Sequence, residues 1–176
     1  MKSFNEVSLK GLKWVQRSST EDELISGDDV VGALHWASRW SSLATAESAD
    51  GNWTFKRAGF IHPRITIRKI DQDVDLYTVD VGWRGEATLM LPGQGAFRWK
   101  PNFWNNKWTL FDNNGKEMMR IELSGFVNVS GNVTIEQTSI ATQTLSLLAM
   151  LGWHLIMNVL SDEVAISAGA IVATVH

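Results

Sequence analysis

The chain has 176 residues, no cysteine and a formal net charge of −3, from 16 Lys and Arg against 19 Asp and Glu. A hydrophobic share of 44% with 20% charged residues describes a globular chain with one good core, and excludes a disordered or collagen-like polymer. Lack of cysteine excludes disulfides, thiolate metal sites and a cysteine nucleophile, and the near-neutral charge argues against a nucleic-acid partner.

The N-terminal stretch MKSFNEVSLKGLKWV has no apolar run after its charges, so it does not read as a secretory signal and a cytoplasmic location is expected. From Leu12 onward the chain is a series of short alternating runs. Leu12–Ser18 carries Leu12 and Trp14, and Glu23–Ser26 is brief. Val30–Ala37 sets Val31, Ala33 and His35 against Val30, Leu34 and Trp36. Leu43–Ser48 alternates weakly, and Asn52–Ala58 sets Trp53 and Phe55 against Thr54 and Lys56. Arg64–Ile70 alternates cleanly, with Ile65 and Ile67 inward and Arg64, Thr66 and Arg68 outward. Val74–Val81 opposes Leu76 and Thr78 to Tyr77, Val79 and Val81. Ala87–Leu91 follows, and Ala96–Lys100 alternates Phe97 and Trp99 with Arg98 and Lys100. Lys107–Asp112 and Met118–Leu123 turn Trp108, Leu110, Met119, Ile121 and Leu123 to one side. Asn132–Gln137 ends the series with Val133 and Ile135. Period two is the mark of strands with one buried face.

Turn residues separate these runs at short, even intervals: Asp50-Gly51-Asn52, Pro92-Gly93-Gln94-Gly95, Asn105-Asn106 and Asp112-Asn113-Asn114-Gly115. Such residues supply the backbone angles of antiparallel hairpins. About twelve strands are expected.

At Thr144 the period changes. TLSLLAMLGWHLIMNVL, Thr144–Leu160, is uncharged and rich in Leu, Met and Ala, which predicts a helix apolar on nearly every side. Its few polar groups share a stripe through Ser146, Met150, His154 and Asn158. No Lys or Arg follows Arg120, so the basic flank of a membrane anchor is missing. A helix enclosed by a sheet closed on itself covers both elements at once. The expected fold is therefore mainly β: a closed antiparallel barrel of about twelve strands around a buried hydrophobic helix, in one domain over residues 1–160. Gly152, unfavourable in mid-helix, is expected to admit the close approach of a strand or of Trp153's neighbours. Ser161-Asp162-Glu163 reads as a break, and the tail 161–176 is compatible with a strand, a second helix or a membrane return.

Three stretches carry a resemblance: NWTFKRAGFIHPRITIR, then GEATLMLPGQGAFRWKPNFWNNKWTLFDNNGKEMMRIE, then LLAMLGWHLIMNVL. In this order they resemble bacterial proteins of the tubby C-terminal-like superfamily, which is similar in architecture to LURP-one-related proteins and phospholipid scramblases. The resemblance covers Asn52–Leu160 and implies a twelve-strand barrel around a C-terminal helix. It also implies binding rather than catalysis, with an anionic phospholipid headgroup or a membrane surface as partner, although fold alone does not set function.

The outward cations Lys56, Arg64, Arg68, Arg98 and Lys100 are the candidate headgroup site, since guanidinium and ammonium groups hold anions by charge-assisted hydrogen bonds. No catalytic residues, metal ligands or cofactor are assigned. His35, His62 and His154 lack partners at ligand spacing, no G-x-S-x-G elbow is present, and Asp71, Asp73 and Asp75 read as a solvated loop. Pro92–Gly95 reads as a glycine hairpin. Trp53, Trp99, Trp108 and Trp153 are expected in the core, His154 and Asn158 hydrogen-bonded in the lumen, and Trp104 exposed at a turn. The leading expectation is a non-enzymatic barrel, cytoplasmic and peripheral to a membrane. The alternatives are a structural or protein-interaction domain with no small ligand, and an enzyme of unknown type.

Overall fold

The computed structural model describes residues 1–38, 41–59, 62–125, 128–136 and 139–173, with side chains of the last helix through Ala165. Twelve strands form: β1 (Leu12–Ser18), β2 (Glu21–Ser26), β3 (Asp29–Trp36), β4 (Leu43–Ser48), β5 (Gly51–Ala58), β6 (Arg64–Lys69), β7 (Tyr77–Val81), β8 (Ala87–Leu91), β9 (Gly95–Pro101), β10 (Lys107–Phe111), β11 (Glu117–Ser124) and β12 (Ser130–Ile135). Each pairs antiparallel with its sequence neighbours, and β1 pairs with β12, so the sheet is a closed up-and-down barrel. Helix α1 (Thr142–Ala173) follows.

The width of the barrel explains the helix. Twelve strands about 4.8 Å apart and tilted about 40° close on a diameter of roughly 24 Å. Inward side chains leave about 12 Å, the width of one helix. The helix side chains from Leu145 to Ile156 are accordingly buried, in one cluster with Leu12, Trp14, Phe55, Ile65, Ile67, Leu110 and Ile121 from the wall. Trp14 of β1 stacks on Trp153 of α1 with ring centroids 5.2 Å apart. Trp53, Trp99, Trp108 and Trp153 all lie in the core, as expected. A helix wrapped on every side needs no broad polar face, and the sequence shows only the narrow stripe of Ser146, His154 and Asn158.

Several local expectations are corrected. Val74 and Leu76 are exposed in the β6–β7 connection, because β7 begins only at Tyr77. β2 begins at Glu21, and its Asp22 is buried. Simple alternation fails in β3, where Val31, Gly32, Ala33 and Leu34 are all buried. A register shift causes it: Leu24 pairs with Gly32 but Ile25 with Val30, leaving Val31 as the bulged residue. A second shift opposite Leu110 and Phe111 buries both Met118 and Met119. Gln137, the end of the last expected strand, lies outside the described residues.

The helix holds the largest difference. Ser161-Asp162-Glu163 does not break it, and α1 runs on to Ala173 over 32 residues. Two short polar residues and a Glu cost a helix little when no Gly or Pro accompanies them. The tail to Ala173 is thus a continuation of the same helix, while Thr174–His176 lie outside the described residues.

Candidate functional site: the aromatic end of the barrel

Up-and-down topology sends alternate connections to opposite ends. One end holds the β2–β3, β4–β5, β6–β7, β8–β9 and β10–β11 connections and the start of α1. These connections carry Asp28, Asp50, Asp71, Asp73, Asp75 and Asp112. The N-terminal segment closes this end: Phe4 is buried, and its N–H donates to the Asp50 carboxylate at 2.9 Å. Asp112 accepts the backbone N–H of Asn114 and of Lys116, both at 2.8 Å, and so ties its own turn. A broad groove here is lined by those turn residues and Gln94 together with the apolar Phe97, Met118 and Ile140. Asp71 and Asp73 are exposed, while Asp75 pairs with Arg68 at 2.6 Å.

The other end is built differently. Here α1 leaves the barrel between the β5–β6, β7–β8 and β9–β10 connections. Hydrogen bonds among the described residues hold the departing turn. Arg57 Nη1 donates to Asp162 Oδ2 at 2.6 Å, and Asn105 Nδ2 donates to Glu163 Oε1 at 2.7 Å. Around this exit three aromatic side chains face outward: Trp83 is 86% exposed, Phe103 82% and Trp104 76%. They are the three most exposed aromatic side chains among the described residues. By sequence, the other connections at this end also contain Trp40, Phe60, Ile61, Phe126 and Val127, which lie outside the described residues.

Gly85 has φ +84°, and a Cβ there would lie 2.7 Å from Trp108 and 2.8 Å from Val159 of α1. Only glycine lets this loop rest directly on the core at Gly85, and Trp83 two residues earlier stands in solvent. The Asn102 carboxamide ties the next loop, its Oδ1 accepting the N–H groups of Asn106 and Lys107 and its Nδ2 donating to Asn106. Phe103 and Trp104 project from this pinned turn and meet edge to face, centroids 5.1 Å apart. Trp83, Arg84, Asn102 and Phe103 line a shallow groove between the two loops. Trp104 was legible in sequence from the turn residues that follow it. Trp83 was missed, although Gly82-Trp83-Arg84-Gly85 brackets an aromatic with turn formers.

The five candidate cations do not form one site. Register places Lys56 opposite Thr66, between Arg64 and Arg68, so these three gather on β5 and β6. Arg98 and Lys100 lie on β9, three strands and about 14 Å away. Arg64, Asp80, Thr88 and Arg98 make one outward row across β6 to β9. Arg64 pairs with Asp80 at 3.2 Å, and Arg68 with Asp75. Lys100 sits 5.8 Å from the Phe111 ring centre. Lys56 and Lys100 are exposed and lie toward the aromatic end, as does Arg64.

In the lumen, His154 stacks on Trp36 and meets Phe55 edge-on, and its Nε2 lies 2.9 Å from the Ser42 carbonyl. Nε2 therefore carries the proton and donates. Asn158 Nδ2 donates to the His154 carbonyl at 2.7 Å, and Ser146 Oγ meets Ser48 Oγ at 2.8 Å, so the expected polar stripe is fully used inside the barrel. Burial holds the His154 pKa down at about 4. Buried Asp22 accepts from the Trp36 indole at 2.8 Å, and its pKa is raised by loss of water, partly offset by that bond.

Comparison of the chain with protein-family models, with curated proteins and with solved structures finds no match.

Proposed function

We propose that this barrel is a non-enzymatic binding domain that docks on a membrane surface by its aromatic end, with Lys56, Lys100 and Arg84 meeting anionic phospholipid headgroups beside it. The observation that carries the reading is the exposure of Trp83, Phe103 and Trp104 around the helix exit. Leaving three large aromatic faces in water is unfavourable, and indole rings partition to the level of lipid headgroups. The sequence resemblance to the tubby C-terminal-like superfamily supports the same reading.

Co-sedimentation with phosphatidylcholine vesicles, with and without phosphatidylglycerol, tests it. The wild type should partition to both, more strongly to the anionic ones. The variant carrying Trp83→Ser, Phe103→Ser and Trp104→Ser should lose about 4.5 kcal/mol of partitioning, at roughly 1.5 kcal/mol per buried aromatic. Its melting temperature should hold, because exposed side chains carry little stability. A wild type that ignores both vesicles, or a triple variant that binds as well, sinks the reading and leaves a structural or protein-interaction domain in its place.

A further inference from the structure

The groove between the β7–β8 and β9–β10 loops has a volume of about 360 Å³, at the small end of ligand-sized sites. Trp83 and Phe103 line it, together with Arg84, Pro101, Asn102 and Asn105. Most of its polar atoms are already engaged. The Asn102 carboxamide oxygen accepts two backbone N–H groups, and the Asn102 carbonyl accepts the Asn105 N–H at 3.2 Å. The Asn105 carbonyl accepts the Trp108 indole at 3.1 Å, while its carboxamide nitrogen donates to Glu163. The neighbouring Glu86 carboxylate accepts the Arg84 backbone N–H at 3.1 Å. The Arg84 side chain differs from these: the residue is exposed, and its guanidinium makes no hydrogen bond or ion pair among the described residues. The groove therefore offers a ligand two aromatic side chains and one unpaired guanidinium, with few acceptors left over.

We propose that this groove is a phosphocholine site, in which the trimethylammonium group rests against Trp83 and Phe103 and the phosphate accepts from the Arg84 guanidinium. The proposal deepens the membrane-docking reading above, on which its lipid source rests. Three arguments choose this chemistry. The planar guanidinium fork matches phosphate oxygens, and the groove holds no second free cation to call for a second phosphate. Aromatic rings beside it attract a cation through their quadrupole. A primary ammonium carries three donors that need acceptors, and here the acceptors are largely taken; a trimethylammonium carries none. The walls are also built in advance. Gly85 seats one loop against Trp108 and Val159, the Asn102 carboxamide ties the other, and Trp104 braces the Phe103 ring edge to face at 88°.

The test follows the indole N–H resonances of the full chain, with that of Trp83 identified by its loss in Trp83→Ser. Free phosphocholine, phosphoethanolamine and inorganic phosphate are titrated separately. Phosphocholine should move the Trp83 resonance saturably, and the other two should bind at least about fivefold more weakly. Arg84→Gln should weaken phosphocholine at least about tenfold, with the remaining indole resonances in place as proof of the fold. In co-sedimentation, the wild type should favour phosphatidylcholine–phosphatidylglycerol vesicles over phosphatidylethanolamine–phosphatidylglycerol vesicles of equal anionic content, and Arg84→Gln should lose that preference. Saturable binding of phosphocholine with no binding to either vesicle upholds the site, makes a soluble choline phosphate ester its source and ends the docking reading. Vesicle binding without a choline preference, and a Trp83 resonance that ignores phosphocholine, overturns the site and leaves docking by the aromatic end intact. Equal binding of inorganic phosphate and phosphocholine also overturns it, since the aromatic half then does nothing. If neither the ester nor the vesicles bind, the site and the docking reading fail together.

Discussion

The two ends of this barrel are made from the same element, a short connection between antiparallel strands, and they face solvent in opposite ways. At the acidic end two carboxylates serve the structure, Asp50 anchoring the N-terminal segment and Asp112 closing its own turn, while Asp71 and Asp73 stay in solvent. At the aromatic end glycine and asparagine do that work, through Gly85 and Asn102, and the loop tips are left free to hold Trp83, Phe103 and Trp104. The difference teaches that the polarity of the molecule comes from its connections, since the strands between the ends share one alternating pattern and one core.

The shared core offers the strongest way to collapse that comparison. A Cβ on Gly152 would lie 2.5 Å from Trp99, which is itself buried against the helix. Gly152→Leu should therefore overpack the barrel at its waist and cost about 3 kcal/mol, lowering the melting temperature by roughly 6–12 °C. Circular dichroism in the near and far ultraviolet should show one coincident transition. An unchanged melting temperature would contradict the packing of the helix against β9.

Acid should act on the core next to the aromatic end. His154 is held at about pKa 4 when folded, against an ordinary value of 6.5 when unfolded. Below pH 6.5 the unfolded chain gains a proton that the folded chain refuses, so this group removes stability as pH falls, until its folded pKa is reached. Between pH 7 and pH 4.5 the loss should be about 2 kcal/mol. Asp22 acts in the opposite sense: its raised folded pKa means the native state takes up a proton first, which favours folding as pH approaches the carboxylate range. The difference between wild type and His154→Gln in urea midpoint at the two pH values isolates the histidine. A variant with the same pH slope as the wild type would show that His154 is not the group responsible.

Charge substitutions sharpen the contrast with smaller effects. Lys56→Gln or Lys100→Gln should each weaken binding to anionic vesicles by about 1 kcal/mol at low salt, and by less at physiological salt. The acidic end should be indifferent: Asp71→Asn with Asp73→Asn should leave partitioning within twofold. Any loss there would mean that the far end touches the surface as well.

Much of the fold was legible because it rests on local periodicity. Each of the twelve strands overlaps one of the short runs expected from sequence, most of them alternating, and a helix apolar on nearly every side needs an enclosing wall. What alternation could not show were the register shifts that bury Val31 beside Gly32 and Met118 beside Met119. A bulge depends on the partner strand and leaves no period of its own. The candidate site was less legible. The outward direction of Lys56, Arg64, Arg68, Arg98 and Lys100 follows from alternation, but their division into two groups with Asp80 and Asp75 between or beside them depends on strand order and cross-strand register.

By itself, then, the sequence determines the strand set, the greasy central helix, the buried Trp53, Trp99, Trp108 and Trp153, and the use of His154 and Asn158 inside the lumen. Each follows from a short-range pattern of burial and of polar groups needing partners. Only the tertiary structure decides that the helix outruns the wall, that Gly85 folds its loop onto Val159, and that Trp83 joins Phe103 and Trp104 around the exit. Those facts depend on comparing the length of one element with the height of another, and on closure between β1 and β12, separations along the chain that no local period records.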